Sequence, residues 1–173
     1  LSYVALRQGD AVGLCTFADD QPRYLAPVKG TGQLNVLLNT VYDLDSTRHA
    51  ADYQAAATQL LARQKRRALV VLVTNLRGED GEELLTAVKR LGKQHRVLVA
   101  NLREEVLDRL RQAPVQTLSE ALTYCGTVDY LTDRAELHER LNAHGVPVMD
   151  ASPAALGPAL VTRYLSWKKA GAI

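Results

Sequence analysis

The stretch Arg67–Asp80, RALVVLVTNLRGED, constrains the fold more than any other part of the chain. Its apolar run Ala68–Val73 is typical of a β-strand that is covered on both faces of a sheet. The run breaks at Thr74 and Asn75 before a helical pattern begins. Because ligands of open α/β sheets collect where such strands end, the residues after this run are the first candidates for a binding site.

Strands and helices alternate along the rest of the chain. A β-hairpin is predicted from Ala11–Phe17 and Arg23–Val28, which are separated by turn-forming residues. Further strands are predicted at Arg96–Leu102 and Val146–Met149, with helical patterns between them. This order predicts an α/β fold with a doubly wound, mostly parallel sheet, to which the hairpin adds an antiparallel edge.

Length and composition favour an ordinary globular protein. The 173 residues are expected to form one domain, and a net charge of +2 gives no reason to expect nucleic acid or a membrane surface as a partner. No apolar run reaches the ~20 residues that a membrane span needs. Two cysteines, Cys15 and Cys125, suit a reduced compartment, so we expect a cytoplasmic location.

The start of the chain has the pattern of a helix that is already under way. The sequence LSYVALRQG has no initial methionine and carries apolar residues at helical spacing up to Gly9. We therefore expect an N-terminally truncated fragment of a longer protein, in which a membrane anchor could lie upstream.

Seven segments of the chain together resemble one bacterial family. They are GDAVGLCTF, LNVLLNTVYDL, ADYQAAATQLL, RALVVLVTNL, HRVLVANLRE, GVPVMDASP and ALVTRYLSWKKAG. The resemblance is to the von Willebrand factor A-like group catalogued as domain-of-unknown-function family 58. It implies a Rossmann-like sheet with a divalent metal site at its upper edge. It also implies partnership with a MoxR-type AAA+ ATPase in the assembly or maturation of other complexes.

The metal site that the resemblance implies is incomplete in this chain. It takes an Asp-x-Ser-x-Ser loop after the first strand, a Thr from a later loop and an Asp after the fourth strand. Here the first strand and its loop are absent, Ala51 and Asp52 stand where the Thr is expected, and the fourth strand ends in Asn75. We expect no metal or cofactor in this fragment, whereas a full-length protein could bind Mg²⁺ or another divalent cation.

The absent first strand also predicts an opening in the sheet. The resemblance places that strand between Ala11–Phe17 and Ala68–Val73, whose edges would then carry unpaired N–H and C=O groups. We predict either that these two strands pair directly or that a segment of a second molecule fills the slot and produces a homodimer.

Four polar residues are the candidates for binding at the carboxyl edge of the sheet: Thr74, Asn75, Asp52 and Asp19. Two of these positions have a plain structural explanation as well, because Asn75 could satisfy loop backbone groups and Asp52 could begin a helix. The favoured function is a non-catalytic protein–protein interaction module. The alternative is a metal-dependent hydrolase that uses the same edge, for which Asp52 and Asp19 are the only candidate carboxylates.

Two further patterns carry weaker predictions. The basic run Arg63–Arg67 could contact phosphate, but cations are expected at the end of a helix and no aromatic residue interleaves with them for base stacking. We therefore expect no nucleic acid partner. Thr117 and Glu120 form a capping box that opens a long helix, which we expect to be interrupted near Gly126.

Overall fold

The strands of the protein form two separate sheets, as a computed structural model of residues 1–18, 22–44 and 50–173 shows. An antiparallel pair, β1 and β2, forms one sheet, and three parallel strands in the order β3-β4-β5 form the other. The chain is therefore a mixed α/β protein, as predicted. In chain order the elements are α1 (Ser2–Arg7), β1 (Val12–Cys15), β2 (Tyr24–Val28), α2 (Gln33–Val41), α3 (Tyr53–Arg63), β3 (Leu69–Thr74), α4 (Gly81–Gly92), β4 (Arg96–Leu102), α5 (Glu105–Gln112), α6 (Leu118–Ala143), β5 (Val148–Ala151) and α7 (Pro153–Lys169).

The central strand of the parallel sheet is β4, and its side chains divide the core into two layers. Val97 and Val99 pack with buried residues of α3, α4 and α6, whereas Leu98 and Ala100 pack with α7. This division follows from the alternation of side chains along a strand. Helices therefore cover both faces of β4, and this strand is buried from Val97 to Asn101.

The prediction that Ala68–Val73 is covered on both faces is confirmed only in part. Leu72 packs on one layer of the core and Leu69 and Val71 on the other, but the strand lies at the edge of its sheet. Among the described residues β3 pairs only with β4; its residues are half-buried, except Val73, which is 48% exposed. Direct pairing between β1 and β3 is wrong, because the two strands belong to different sheets. An antiparallel hairpin is present, but it does not extend the parallel sheet. Pairing with a strand of a second molecule stays a prediction.

Helices and side chains, rather than a β-ladder, connect the hairpin to the parallel sheet. On one side the rings of Phe17 and Tyr53 lie 5.7 Å apart, which joins the end of β1 to α3. On the other side Asp10 accepts hydrogen bonds from Tyr164 and from Lys168 of α7, the latter at 2.7 Å. The hairpin is thus held between α3 and α7.

The long helix α6 begins as the sequence predicts. The backbone N–H of Glu120 donates to the Thr117 hydroxyl at 3.2 Å, and the N–H of Thr117 donates to the Glu120 carboxylate at 2.8 Å. The backbone N–H groups of Gln116 and Thr117, which both donate to this carboxylate, hold the pKa of Glu120 below its ordinary value. The predicted interruption near Gly126 is wrong, because α6 runs unbroken over 26 residues. A glycine inside a helix costs only about 1 kcal/mol, which is too little to end a long helix that begins with a capping box.

None of the helices in the described residues combines the length and the apolar character that crossing a membrane requires.

Two leucines test this account of the core. Leu84 of α4 is fully buried in the layer between α4 and β4, whereas Leu118 of α6 is 78% exposed. We expect Leu84→Ala to lower the free energy of unfolding by about 3 kcal/mol, because it removes buried methyl groups and leaves a cavity. Leu118→Ala, the same chemical change on the surface, should alter it by less than about 0.5 kcal/mol. Urea denaturation measures both values, and equal effects would contradict the burial described here.

Candidate functional site

The carboxyl edge of the parallel sheet is organised around the buried side chain of Asn101. Asn101 follows the apolar run of β4 and has no exposed surface. Its amide nitrogen donates to Nε2 of His138 at 2.9 Å and to the carboxylate of Asp150 at 3.1 Å. Its amide oxygen accepts the backbone N–H of Leu76 at 2.9 Å. One side chain therefore joins β4 to the loop after β3, to α6 and to β5.

An ion pair between the buried Arg134 and the partly exposed Asp150 lies beside this amide. The guanidinium of Arg134 donates to the Asp150 carboxylate at 2.6 Å and to the carbonyl oxygen of Leu102 at 3.0 Å. The side chain of Arg134 is 3% exposed, whereas that of Asp150 is 31% exposed. Breaking this pair would leave the buried charge of Arg134 without compensation, so the pair holds α6 against β5.

The hydrogen bond from Asn101 determines the protonation state of His138. An amide nitrogen can only donate, so Nε2 of His138 accepts and the ring proton of the neutral imidazole lies on Nδ1. Burial holds the pKa of His138 below its ordinary value; Arg134 lowers it further, and Asp150 acts in the opposite direction. The network therefore requires a neutral histidine.

Two predicted residues, Thr74 and Asn75, lie at this edge, and both are hydrogen-bonded. The hydroxyl of Thr74 is 2.9 Å from the hydroxyl of Tyr53, at the start of α3. The amide nitrogen of Asn75 donates to the carboxylate of Glu104 at 2.6 Å. The amide oxygen of Asn75 is buried and finds no hydrogen-bond partner among the described residues. The end of β3 is thus attached to the start of α3, and the loop after β3 is attached to the connection between β4 and α5.

Asp52 serves the structural role that the sequence allowed and also borders a cavity. It is the N-cap of α3, where its carboxylate accepts the backbone N–H of Ala55 at 2.7 Å. The cavity, of about 380 Å³, lies between the end of β1 and the start of α3 and is lined by Phe17, Ala18, Pro22, Ala50, Asp52, Ala55, Ala56 and Gln59. Asp19, the fourth predicted residue, lies outside the described residues.

The sequence reasoning missed the residues that make the network: Asn101, Glu104, Arg134, His138 and Asp150. A signal was present for three of them. Asn101 interrupts the apolar run of β4, as Thr74 and Asn75 end that of β3. Arg134 and His138 are four residues apart and so lie on one face of α6. Neither pattern reveals by itself that Asn101 of β4 lies against Arg134 and His138 of α6.

The direction of the helices places several acidic residues at the carboxyl edge. Helices that connect parallel strands run opposite to them, so their N-termini lie at the carboxyl ends of the strands. Acidic residues accordingly begin α3 and α4, at Asp52, Glu82 and Glu83. Carboxylates at these positions are stabilised by the helix dipole. Within the described ranges, no group of three or more His, Cys, Asp or Glu side chains is placed to hold a metal ion.

Comparison with known proteins identifies one family. A family model described as protein of unknown function DUF58 matches residues 1–143. These residues include β1 to β4 and, within the network, Asn101, Arg134 and His138, whereas Asp150 lies beyond the match. No curated protein and no solved structure gives a significant match to the chain.

Removal of the Asn101 amide tests whether the network holds the edge together. Asn101→Ala should lower the free energy of unfolding by about 3 kcal/mol, because it leaves the Leu76 N–H and the His138 ring without partners in a buried site. Asn35→Ala, on the exposed surface of α2, is the matched control and should change it by less than about 0.5 kcal/mol. Thermal or urea unfolding distinguishes the two; a small effect at Asn101 would mean that the network contributes little.

The protonation state of His138 makes stability depend on pH. Its folded pKa lies below the ordinary value of 6.5, so the unfolded chain takes up the proton first as the pH falls. The contribution of His138 to the free energy of unfolding should therefore be constant above about pH 7.5 and should decrease as the pH is lowered through 6.5. His138→Gln, whose amide oxygen can accept from Asn101, should make this decrease smaller. His144→Gln, outside the network, serves as the control in chemical denaturation at several pH values.

Proposed function

This chain belongs to the family described as protein of unknown function DUF58, and we propose that it is a non-catalytic protein–protein interaction module. The carboxyl edge of the parallel sheet is the proposed recognition surface. The observation that carries this proposal is that three side chains at successive strand ends, Asn75, Glu104 and Asp150, reach the surface and are held in place by hydrogen bonds, Asp150 through the buried Asn101. Side chains that are fixed before binding lose little conformational entropy when a partner docks.

The chemistry of this edge favours a basic partner surface. Asp52, Glu83 and Glu104 supply negative charge around the edge, whereas Glu82 is already paired with Arg140. The cavity beside Asp52 has mainly apolar walls. A lysine or arginine of the partner could lay its aliphatic stem along these walls and place its charge at the Asp52 carboxylate. Complementary charges of this kind raise the association rate and select among partners.

The proposed partner is a MoxR-type AAA+ ATPase, and the proposed role is the assembly or maturation of other complexes. Both come from the family resemblance, which is an argument by analogy. We further propose a von Willebrand factor A-like, doubly wound architecture in which β1 and β3 flank a further strand, supplied by a second molecule when a homodimer forms. A cytoplasmic location accords with the free thiols of Cys15 and Cys125.

A metal-dependent hydrolase is the second candidate, and one observation favours it. Glu104 adds a carboxylate 2.6 Å from the amide of Asn75, where such chemistry would need acidic groups. The other carboxylate of the network, Asp150, is already paired with Arg134. Since Asp52 caps α3, the described part of this edge brings a single uncommitted carboxylate to Asn75, and the binding module ranks first.

Binding to a purified MoxR-type ATPase tests the proposal. Calorimetry at low salt should show association with the unaltered chain. Asp52→Asn keeps the helix cap, and Glu104→Gln keeps an acceptor for Asn75, so each variant removes a charge while preserving the fold. We expect each to weaken binding about 3- to 10-fold, and the two together more strongly.

The control variant is Glu139→Gln, which neutralises an exposed carboxylate of α6 outside this set. Equal losses in all three variants would point to net charge rather than to the edge. No association of the unaltered chain with the ATPase would overturn the proposed partner, and unaltered binding by the double variant would overturn the proposed surface.

A further inference from the structure

A second cleft lies at the opposite end of the parallel sheet, where β3 and β4 begin. It has a volume of about 250 Å³ and is lined by Arg67, Ala68, Leu69, Arg96, Gly171, Ala172 and Ile173. Leu69 and Arg96 are register partners at the first rung of the β3–β4 ladder. The cleft is therefore built on the rigid start of the sheet, and the function proposed above does not use it.

Packing against Trp167 holds the guanidinium of Arg96 in place. Its central carbon lies 4.2 Å from the centroid of the Trp167 ring, and Arg163 contacts the same ring at 5.8 Å. The Nε atom of Arg96 is shielded from solvent and has no hydrogen-bond partner among the described residues. A guanidinium held over an aromatic ring is oriented before any ligand arrives.

Within the described part of the chain, no acidic side chain lines this cleft. Among the described residues, no ion pair involves Arg67 or Arg96. The helix dipole does not account for these two arginines. Arg67 lies beyond the last turn of α3, which ends at Arg63, and Arg96 begins a strand. Two unpaired charges beside apolar walls indicate an anion site.

We propose that this cleft binds a compact dianion, a phosphate group, through Arg67 and Arg96. The forked guanidinium matches phosphate oxygens with paired hydrogen bonds, and two arginines balance two negative charges. The walls formed by Ala68, Leu69 and Ala172 leave room for a small organic body attached to the phosphate. A stacked nucleic acid base does not fit, because Trp167 is only 9% exposed and Arg96 lies over its ring.

The single tryptophan of the chain provides a direct measurement. Inorganic phosphate is titrated at pH 8 and constant ionic strength, with tryptophan fluorescence and calorimetry as readouts. A saturable response is expected, with a dissociation constant in the millimolar range or below, whereas chloride at matched ionic strength should give none. A phosphate monoester such as glycerol phosphate forms a second arm: tighter binding than inorganic phosphate indicates an organic phosphate, and equal binding indicates the free anion.

Three variants make the test specific. Arg67→Gln changes an exposed residue outside the strands, so it should fold normally and weaken phosphate binding about 10-fold or more. Arg67→Lys keeps the charge but loses the forked geometry, and an intermediate loss is expected. Arg109→Gln removes an exposed positive charge from α5 and should bind as the unaltered chain does. A non-saturable response, an equal response to chloride, or full binding by Arg67→Gln would overturn the proposal.

Discussion

The hydrogen bonds of the Asn101 side chain are the interaction on which the organised end of the sheet depends. This amide has no contact with water, yet it has partners in the loop after β3, in α6 and in β5. A buried amide is costly unless its groups are satisfied, and a satisfied one selects a single arrangement of its neighbours. The neutral state of His138 and the position of Asp150 against Arg134 both follow from this arrangement.

A different kind of contact positions the two sheets relative to each other. Because β1 and β3 share no ladder, the hairpin is positioned by α3 on one side and by α7 on the other. Contacts between side chains are less directional than a β-ladder, so the relation between the sheets rests on a few contacts such as Lys168 with Asp10. The separation of the sheets also explains why the apolar residues of β3 are half-exposed, since a strand at the edge of a sheet has a neighbour on one side only.

The direction of the chain sorts its charges between the two ends of the parallel sheet. Acidic residues begin α3 and α4 at the carboxyl edge, and basic residues occupy the last turns of α3, α4 and α7. Interaction with the helix dipoles explains this separation without reference to any ligand. Helix dipoles do not explain two features: the polar network at one end of the sheet and the cleft of Arg67 and Arg96 at the other. Neither consists of helix-terminal charges.

Local rules determined a large part of this protein from its sequence alone. The apolar runs predicted β3 and β4, the capping box predicted the start of α6, and the alternation of elements predicted the α/β class, since each depends on residues close together in the chain. The interruption expected at Gly126 failed because one glycine costs a helix only about 1 kcal/mol, which is too little to end a long one. Only the tertiary structure decided that Asn101, His138 and Asp150 meet, and that β3 is an edge strand. Those outcomes depend on which elements lie side by side, and contacts between residues 37 and 49 positions apart leave no periodic signal in a sequence.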